Sequence, residues 1–486
     1  MRKWLLWIVG AVAAIQVFLA IRFYGFLTGD DVEVLSEAMR RARGLDFQPW
    51  EVRNLFIPDF LVAPFVFMGG LRAAAIPFIA LSAVTIWLVY RLALQWSADG
   101  RAAIAAALLF AFHWIPLAFG STVYPRNVAM VCIVAAALIV DRFPFAAGAL
   151  AGLAFTDRFS EIVFLIPLLL LGTRHAALRV VGGFLASIAI TLGIYDWITW
   201  GSPFSSVIKF ARLTVVEPDF ASRVKYQSPF WYLYNLVRWC APTLLPLLWF
   251  ARRSARWSFI LIPLLALSAV RHKEMRYLEV MIPFLAIAAG MGFAVLYQQK
   301  RALATALLAV SVIWNLHGLR FFAHKSMPAV DAAQAILANP KIKVVVVSQL
   351  WAYGDRLYFD KKLAARDVGT PPRDLDRALA GADAASLYES DLDHPELVAA
   401  LQRHHLVAWR TFRDGPARAV VVFIRHPDPA ARGKDLCRRD PSPSTRLRMT
   451  QASHLLPILR IERVDEAVAE EVEAHHRGHY PISPSR

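Results

Sequence analysis

Cysteine is nearly absent from this chain, and the three residues present, Cys132, Cys240 and Cys437, show no paired spacing. Neither a disulfide framework nor a cysteine zinc site is indicated, and the first two read as packing residues in apolar runs. Nucleotide-binding signatures are missing as well. There is no P-loop and no dinucleotide-type glycine pattern, which argues against ATP or a nucleotide sugar as substrate. No internal repeat and no metal motif occurs; "EAHHRGHY" (Glu473 to Tyr480) reads as a polar helix end at the surface. Acids are scarce, 37 against 53 lysines and arginines, for a net charge of +16. The basic residues are scattered and many sit at the ends of apolar runs, a pattern of topology signals and lipid-headgroup contact that excludes a nucleic-acid partner.

What the chain has in quantity is apolar surface. Hydrophobic residues make up 57% of it, with 15 Trp and 31 Phe, and the mean hydropathy is +0.45. That is too apolar for a soluble enzyme, and the expectation is an all-α polytopic membrane protein. The first run, Trp4 to Ile21, is interrupted only by Gln16 and preceded by Arg2 and Lys3. It lacks a small-residue cleavage site, so it reads as a retained signal-anchor with a cytoplasmic N-terminus and an external loop behind it. Further candidate spans fall at roughly 58–71, 73–92, 102–120, 128–140, 144–156, 160–173, 178–198, 230–250, 257–270, 277–297 and 302–318, giving about 10–12 crossings. Several are short, and at least one is expected to be re-entrant. "ARRSAR" (Ala251 to Arg256) and "QQKR" (Gln298 to Arg301) make cytoplasmic turns, which places 271–276 and the chain after 318 outside.

Composition changes near residue 320, so the chain divides into a transmembrane domain, 1–320, and an external soluble domain, 321–486. "KIKVVVVSQL" and "ARAVVVFIRH" read as buried strands and "HPELVAALQRHH" as a helix, which predicts a small C-terminal α/β domain. "RGKDLCRRDPSPSTR" is turn-rich.

Two stretches concentrate charge beside apolar runs. In the loop 25–57, "TGDDVEVLSEAMRRARGLDFQPWEVRN" sets Asp30 and Asp31 directly after the first span, Glu37 two helical turns on, then Trp50, Glu51 and Arg53. A helix over Asp31 to Arg43 with Asp30 as N-cap, lying amphipathically on the membrane, is the bland account of this loop. The second stretch, "RHKEMRYLEVMIPFL", packs His272, Lys273, Glu274 and Arg276 against the start of a span. A charge at the bilayer centre is costly, so such a cluster belongs at the membrane surface or in a wet cavity.

Both stretches resemble glycosyltransferase family 22, the polyprenol-phosphate-mannose-dependent mannosyltransferases of lipid-linked oligosaccharide and glycosylphosphatidylinositol assembly. The family's first luminal loop carries Asp-Glu, a Glu six residues later, Trp-Glu-Tyr or Trp-Glu-Trp, and Arg-Ser. Here Asp30, Asp31, Glu37, Trp50-Glu51 and Arg53-Asn54 stand at those steps. "HKEMRYLEVMIPFL" is similar to the family's His-Lys-Glu-x-Arg-Phe, with Tyr277 for Phe. Between them, "STVYPRN" with Arg126, "FTDRFSEIVFLIPL" with Arg158, "YDWITWGSPFSSVIKF" and "FWYLYNL" echo further family elements in order across residues 1–320. Departures are Thr28-Gly29 in place of His-Pro, a shortened step from Glu51 to Arg53, and the tail after 320. The resemblance implies the GT-C fold, a transmembrane helical bundle with its catalytic site at the external face.

Transfer of a sugar from a polyprenyl phosphate needs a carboxylate to take the acceptor's proton and cations to stabilise the departing phosphate. Asp30 is the favoured base with Asp31 a close second, because adjacent acids raise one another's pKa. Glu37 and Glu51 orient sugar hydroxyls or hold basic partners, and Trp50 and Glu274 join the substrate site. His272, Lys273 and Arg276 grip the lipid phosphate, with Arg53, Arg126 and Arg158 as additional donors. Lys273 and Arg276 could instead snorkel at a span end. No protein metal site is expected, and a divalent ion, Mg or Mn, on Asp30 and Asp31 is left open. Expected partners are the polyprenyl-phosphate sugar, a lipid or glycan acceptor, and the membrane, the inner membrane of a bacterium by the Arg- and Ala-rich composition. The competing classes are a lipid or glycolipid transporter using Arg158 and Asp196, and a non-catalytic assembly factor.

Overall fold

The computed structural model describes residues 2–23, 29–44, 52–123, 126–212, 227–251, 255–270, 273, 275–320, 322, 326–348, 363–368, 374–414 and 418–425. The chain divides into two compact units, Met1–His324 and Lys325–Arg486.

The first unit is helical throughout its described residues. Among the described residues, four helices are long and apolar enough to cross a bilayer alone: Lys3–Phe23, Ala73–Ser97, Arg174–Trp200 and Tyr277–Gln299. Pro58–Gly69, Gly100–Ala111, Arg126–Ile139, Phe159–Leu171 and Ser258–Ala269 are apolar but shorter. For reference, α1 is Arg2–Phe23, α2 Gly29–Arg43, α3 Pro58–Gly69, α4 Ala73–Ser97, α5 Gly100–Ala111 and α6 Trp114–Phe119. Next come α7 Arg126–Ile139, α8 Pro144–Asp157, α9 Phe159–Leu171 and α10 Arg174–Trp200. Then follow α11 Ser205–Ala211, α12 Trp231–Trp239, α13 Leu244–Trp249, α14 Ser258–Ala269, α15 Ile282–Gln299 and α16 Arg301–Gly318.

Two expected spans are broken. The run 102–120 divides into α5 and α6 because His113 turns extended, with its Nδ1 accepting from the backbone N–H of Ile115 at 3.3 Å. The run 230–250 divides into α12 and α13 at an extended Cys240, just before Pro242.

At the centre stands the helix that follows "HKEMRY": 83% of the apolar window in Tyr277–Gln299 is buried, against 33% for Lys3–Phe23 and for Arg174–Trp200. The central helix is therefore enclosed by protein, while α1 and α10 present much of their apolar surface outward, as lipid-facing helices do. Glycine allows the close approach. A Cβ on Gly290 would lie 2.6 Å from the Ala102 carbonyl oxygen, and one on Gly292 1.7 Å from that of Leu247. The first helix is tied in by the one polar side chain within its apolar run, since the fully buried Gln16 donates from Nε2 to Ser82 Oγ at 2.8 Å and to the Pro116 carbonyl at 3.2 Å. In an apolar bundle such packing and hydrogen bonding must supply what the hydrophobic effect supplies in water.

The second unit is α/β. Its sheet has the order β2-β1-β3-β5-β4, with β1 Val344–Val347, β2 Ala364–Asp367, β3 Ala384–Tyr388, β4 Leu406–Asp414 and β5 Arg418–Arg425. Strands β2, β1 and β3 run parallel, and β3–β5 and β5–β4 pair antiparallel. Helices α17 Pro328–Leu337, α18 Leu375–Leu379 and α19 Pro395–Arg403 flank it. Val346, Ala385, Leu387, Leu397, Leu401 and Leu406 form its core. The three stretches read from sequence as strands and helix lie in β1, β5 and α19. "EAHHRGHY", Cys437 and the turn-rich stretch fall outside the described residues.

Helices α8 and α10 also press backbone on backbone, since a Cβ on Gly183 would lie 1.9 Å from the Phe145 carbonyl oxygen and one on Gly148 1.9 Å from that of Val180. Gly183→Ala is expected to cost about 1–3 kcal/mol by overpacking, read as a lower thermal midpoint of the detergent-purified protein. Gly10→Ala, where a Cβ meets nothing within 4 Å, should leave the midpoint unchanged.

Candidate active site

The acid-bearing loop forms a helix, but one placed differently from the surface helix that its amphipathic pattern suggests. It begins at Gly29, so Asp30 lies within the first turn and is not the N-cap. Val34, Leu35, Ser36, Glu37, Ala38 and Met39 are all buried, six consecutive residues spanning more than a full turn. A helix resting on a membrane would keep its polar face wet, so this one is enclosed by protein.

That burial has an electrostatic consequence. The Glu37 side chain is 1% exposed, and its carboxylate accepts a fork from Arg40, at 2.7 Å from Nε and 2.6 Å from Nη2. Arg41 reaches Glu37 at 3.4 Å and Asp59 at 2.8 Å through the same Nε, bridging α2 to α3. Burial pushes the Glu37 carboxyl up to about 7; the Arg40 hydrogen bond opposes this and the neighbouring Asp59 reinforces it.

The segment behind the loop is held at two points by consecutive residues of α10. Asn54 Nδ2 donates to Asp196 Oδ1 at 2.8 Å, and Asp196 Oδ2 accepts from the backbone N–H and hydroxyl of Ser206 at 2.9 and 2.6 Å. Tyr195 donates from its hydroxyl to Asp59 Oδ2 at 2.5 Å. Asp59 stands in a π-helical turn, Pro58–Val62, and Tyr195 follows another, Ala189–Ile194. Such turns insert a residue and re-aim the side chains that follow, and they recur at functional sites. Asp196, considered from sequence as part of a transport path, is a fully buried and fully hydrogen-bonded anchor.

A second charge cluster surrounds Tyr277. Arg158 lies over its ring at 4.6 Å and Arg126 at 5.7 Å. Arg126 pairs with Glu279 at 3.8 Å, with side chains 2% and 0% exposed, and Arg158 pairs with Glu161 at 3.4 Å. Asp157, which accepts from the Ala129 backbone N–H at 3.0 Å, feels the charges of Glu161, Arg53 and Arg126. Arg126 and Arg158 thus gather around Tyr277, and the charge of Arg53 reaches the neighbouring Asp157. Lys273 is buried, and its ammonium donates to the carbonyls of Val270 and, at 3.4 Å, Gln227. Burial holds it below the usual lysine range.

Trp50, Glu51, His272 and Glu274 fall outside the described residues. Asp30, Asp31 and Arg276 lie in described helical turns, but their side chains are outside the described set. Among the described residues no group of three His, Cys, Asp or Glu could hold a metal ion. Sequence reasoning missed Asp59, Tyr195, Asp157, Glu161 and Glu279. The acids carried one usable signal, since Asp59 in "FIPDFLV", Glu161 in "FSEIVF" and Glu279 in "YLEVMI" are lone acids in apolar runs, each of which needs a partner inside the protein.

Solved structures share the fold of this apolar bundle. One is ArnT from Cupriavidus metallidurans bound to undecaprenyl phosphate, with TM-score 0.54 and 14% identity, covering 87% of this chain and 98% of that one. Another is the archaeal oligosaccharyltransferase AglB from Archaeoglobus fulgidus, in complex with an inhibitory peptide and a dolichol-phosphate. Its TM-score is 0.51 at 13% identity, covering 86% of this chain and 74% of that one. No curated protein sequence matches the chain. The chain belongs to the Alg9-like mannosyltransferase family, whose profile matches residues 47–345. It is an integral membrane glycosyltransferase.

Because Glu37 binds its proton more tightly folded than unfolded, stability should fall as pH rises between the ordinary value 4.5 and about 7, and level off above. Thermal unfolding of the detergent-purified protein across that range checks this. Glu37→Gln is expected to flatten the slope, and an unchanged slope would assign it to other groups.

Proposed function

We propose that this enzyme transfers mannose from a polyprenyl-phosphate donor to a lipid-linked or cell-envelope acceptor, at the external face of a bacterial inner membrane and with inversion. The observation that carries this reading is the convergence of Arg126 and Arg158 on Tyr277, with Glu279 and Glu161 as their counter-charges. Family membership favours mannose. The lack of nucleotide motifs favours a lipid-borne donor, as do the undecaprenyl phosphate and dolichol-phosphate held by the two proteins of similar fold.

In this reading Asp30, or Asp31 beside it, takes the acceptor hydroxyl proton. The acceptor oxygen then forms its bond to the anomeric carbon as the carbon–oxygen bond to phosphate breaks, its electron pair leaving with the phosphate. His272, Lys273 and Arg276 stabilise that phosphate as its charge grows. Arg53, Arg126 and Arg158 supply the positive surroundings, each balanced by acids so that the pocket tolerates them in an apolar bundle. Trp50, Glu51 and Glu274 contact the sugar. A single displacement needs one base and no enzymic nucleophile, hence the inversion.

Incubating the purified protein with labelled polyprenyl-phosphate mannose and a crude lipid extract should yield one labelled lipid of inverted configuration. Asp30→Asn and Asp31→Asn together should lower the rate by about 10²–10⁴-fold without altering the thermal midpoint. A retained configuration, or full activity in the double variant, would overturn the mechanism, and the same assay in EDTA reports whether Mg or Mn assists.

A further inference from the structure

We propose that Asp59 is a positioning residue for the reaction, fixing α2, and with it the first-turn acids Asp30 and Asp31, against α10 through Arg41 and Tyr195. The inference rests on the transfer reading above and adds to it a residue that the family motifs do not include.

Four observations support it. Asp59 is 93% withdrawn from solvent by its side chain, at 7% exposure, although it stands among apolar residues. One oxygen, Oδ2, accepts from both Arg41 at 2.8 Å and Tyr195 at 2.5 Å, so a single carboxylate joins α2 to α10. The joint is braced by aromatic rings, with Phe56 and Phe60 packed on Tyr195 at 5.4 and 5.5 Å between centroids. The other oxygen, Oδ1, is buried and has no hydrogen-bond partner among the described residues.

Glu37 and Asp59 share Arg41 Nε, at 3.4 and 2.8 Å, so their carboxylates approach one another across it, and a proton on Glu37 removes the repulsion between them. An unprotonated Glu37 sets two carboxylates face to face across Arg41. The charged and titratable groups facing Glu37 among the described residues are Arg40 and Arg41 on α2, Asp59 on α3 and Tyr195 on α10. With the proton present the joint is closed; as the proton leaves, repulsion loosens it. Transfer should therefore decline on the alkaline side for a reason separate from the catalytic base.

The test measures kcat, KM for the labelled donor and the pH profile in wild type, Asp59→Ala, Asp59→Asn and Tyr195→Phe. Asp59→Ala and Tyr195→Phe should lower kcat on the order of 10- to 100-fold with KM unchanged, since misplacing a reacting group costs rate and not binding. Asp59→Asn, whose amide can donate to an ionised Glu37, should lose less than Asp59→Ala and should lack the alkaline decline. A raised KM at constant kcat in Asp59→Ala, or an alkaline arm kept by Asp59→Asn, would overturn the inference. If wild type transfers nothing from this donor, the transfer reading fails, and amide hydrogen exchange over residues 29–43 still tests the joint. Asp59→Ala and Tyr195→Phe should then speed exchange in α2 at unchanged thermal midpoint, and unaltered exchange refutes it.

Discussion

Arg126 and Glu279 face one another at 3.8 Å with essentially no exposure, and that pair states the constraint that shapes the whole first unit. An ion withdrawn from water loses several kcal/mol of solvation, which only a close counter-ion with further hydrogen bonds can restore. A bundle of apolar helices can therefore admit charge only in matched groups. The pair also has a place in the architecture, since it joins α7 to the start of the most enclosed helix. Around it the same rule pairs Arg158 with Glu161 and sets Asp157 among Arg53 and Arg126. The polar cluster is thus a product of the solvent it sits in.

The same constraint explains what could and could not be read from sequence. The fold class was legible because apolar runs of crossing length have few alternatives in a chain this hydrophobic. The breaks at His113 and Cys240 were not, because a histidine capping its own following turn looks the same in sequence as a histidine inside a span. Charge clusters such as Asp30-Asp31 and 272–276 stood out by density. Asp59, Glu161 and Glu279 did not, although they complete the network, because each is alone in its run and meets its partner only after folding. A reader of sequence weighs neighbours, whereas the bundle assembles its neighbours from separate helices. In the second unit, "VVVV" and "VVVFI" announced strands, but β2, "AARD", is too short and too polar to do so.

The helix of the first loop illustrates the difference between pattern and environment. Its strongly amphipathic sequence fits a membrane surface, yet six consecutive residues of it are enclosed. The enclosure is tolerable because Glu37 meets Arg40 and Arg41 on its own helix, so the buried carboxylate is countered by arginines that reach it from the helix's more exposed end.

The glycine contact between α8 and α10 bears on the other end of α10. Gly183 and Tyr195 belong to the same continuous helix, twelve residues and about 18 Å apart at 1.5 Å per residue. With backbone pressed on backbone at one end and the Tyr195–Asp196 grip at the other, α10 acts as a lever arm. A methyl group added at Gly183 would press on the backbone of α8, so that a position with no chemistry of its own governs how α10 presents Tyr195 and Asp196.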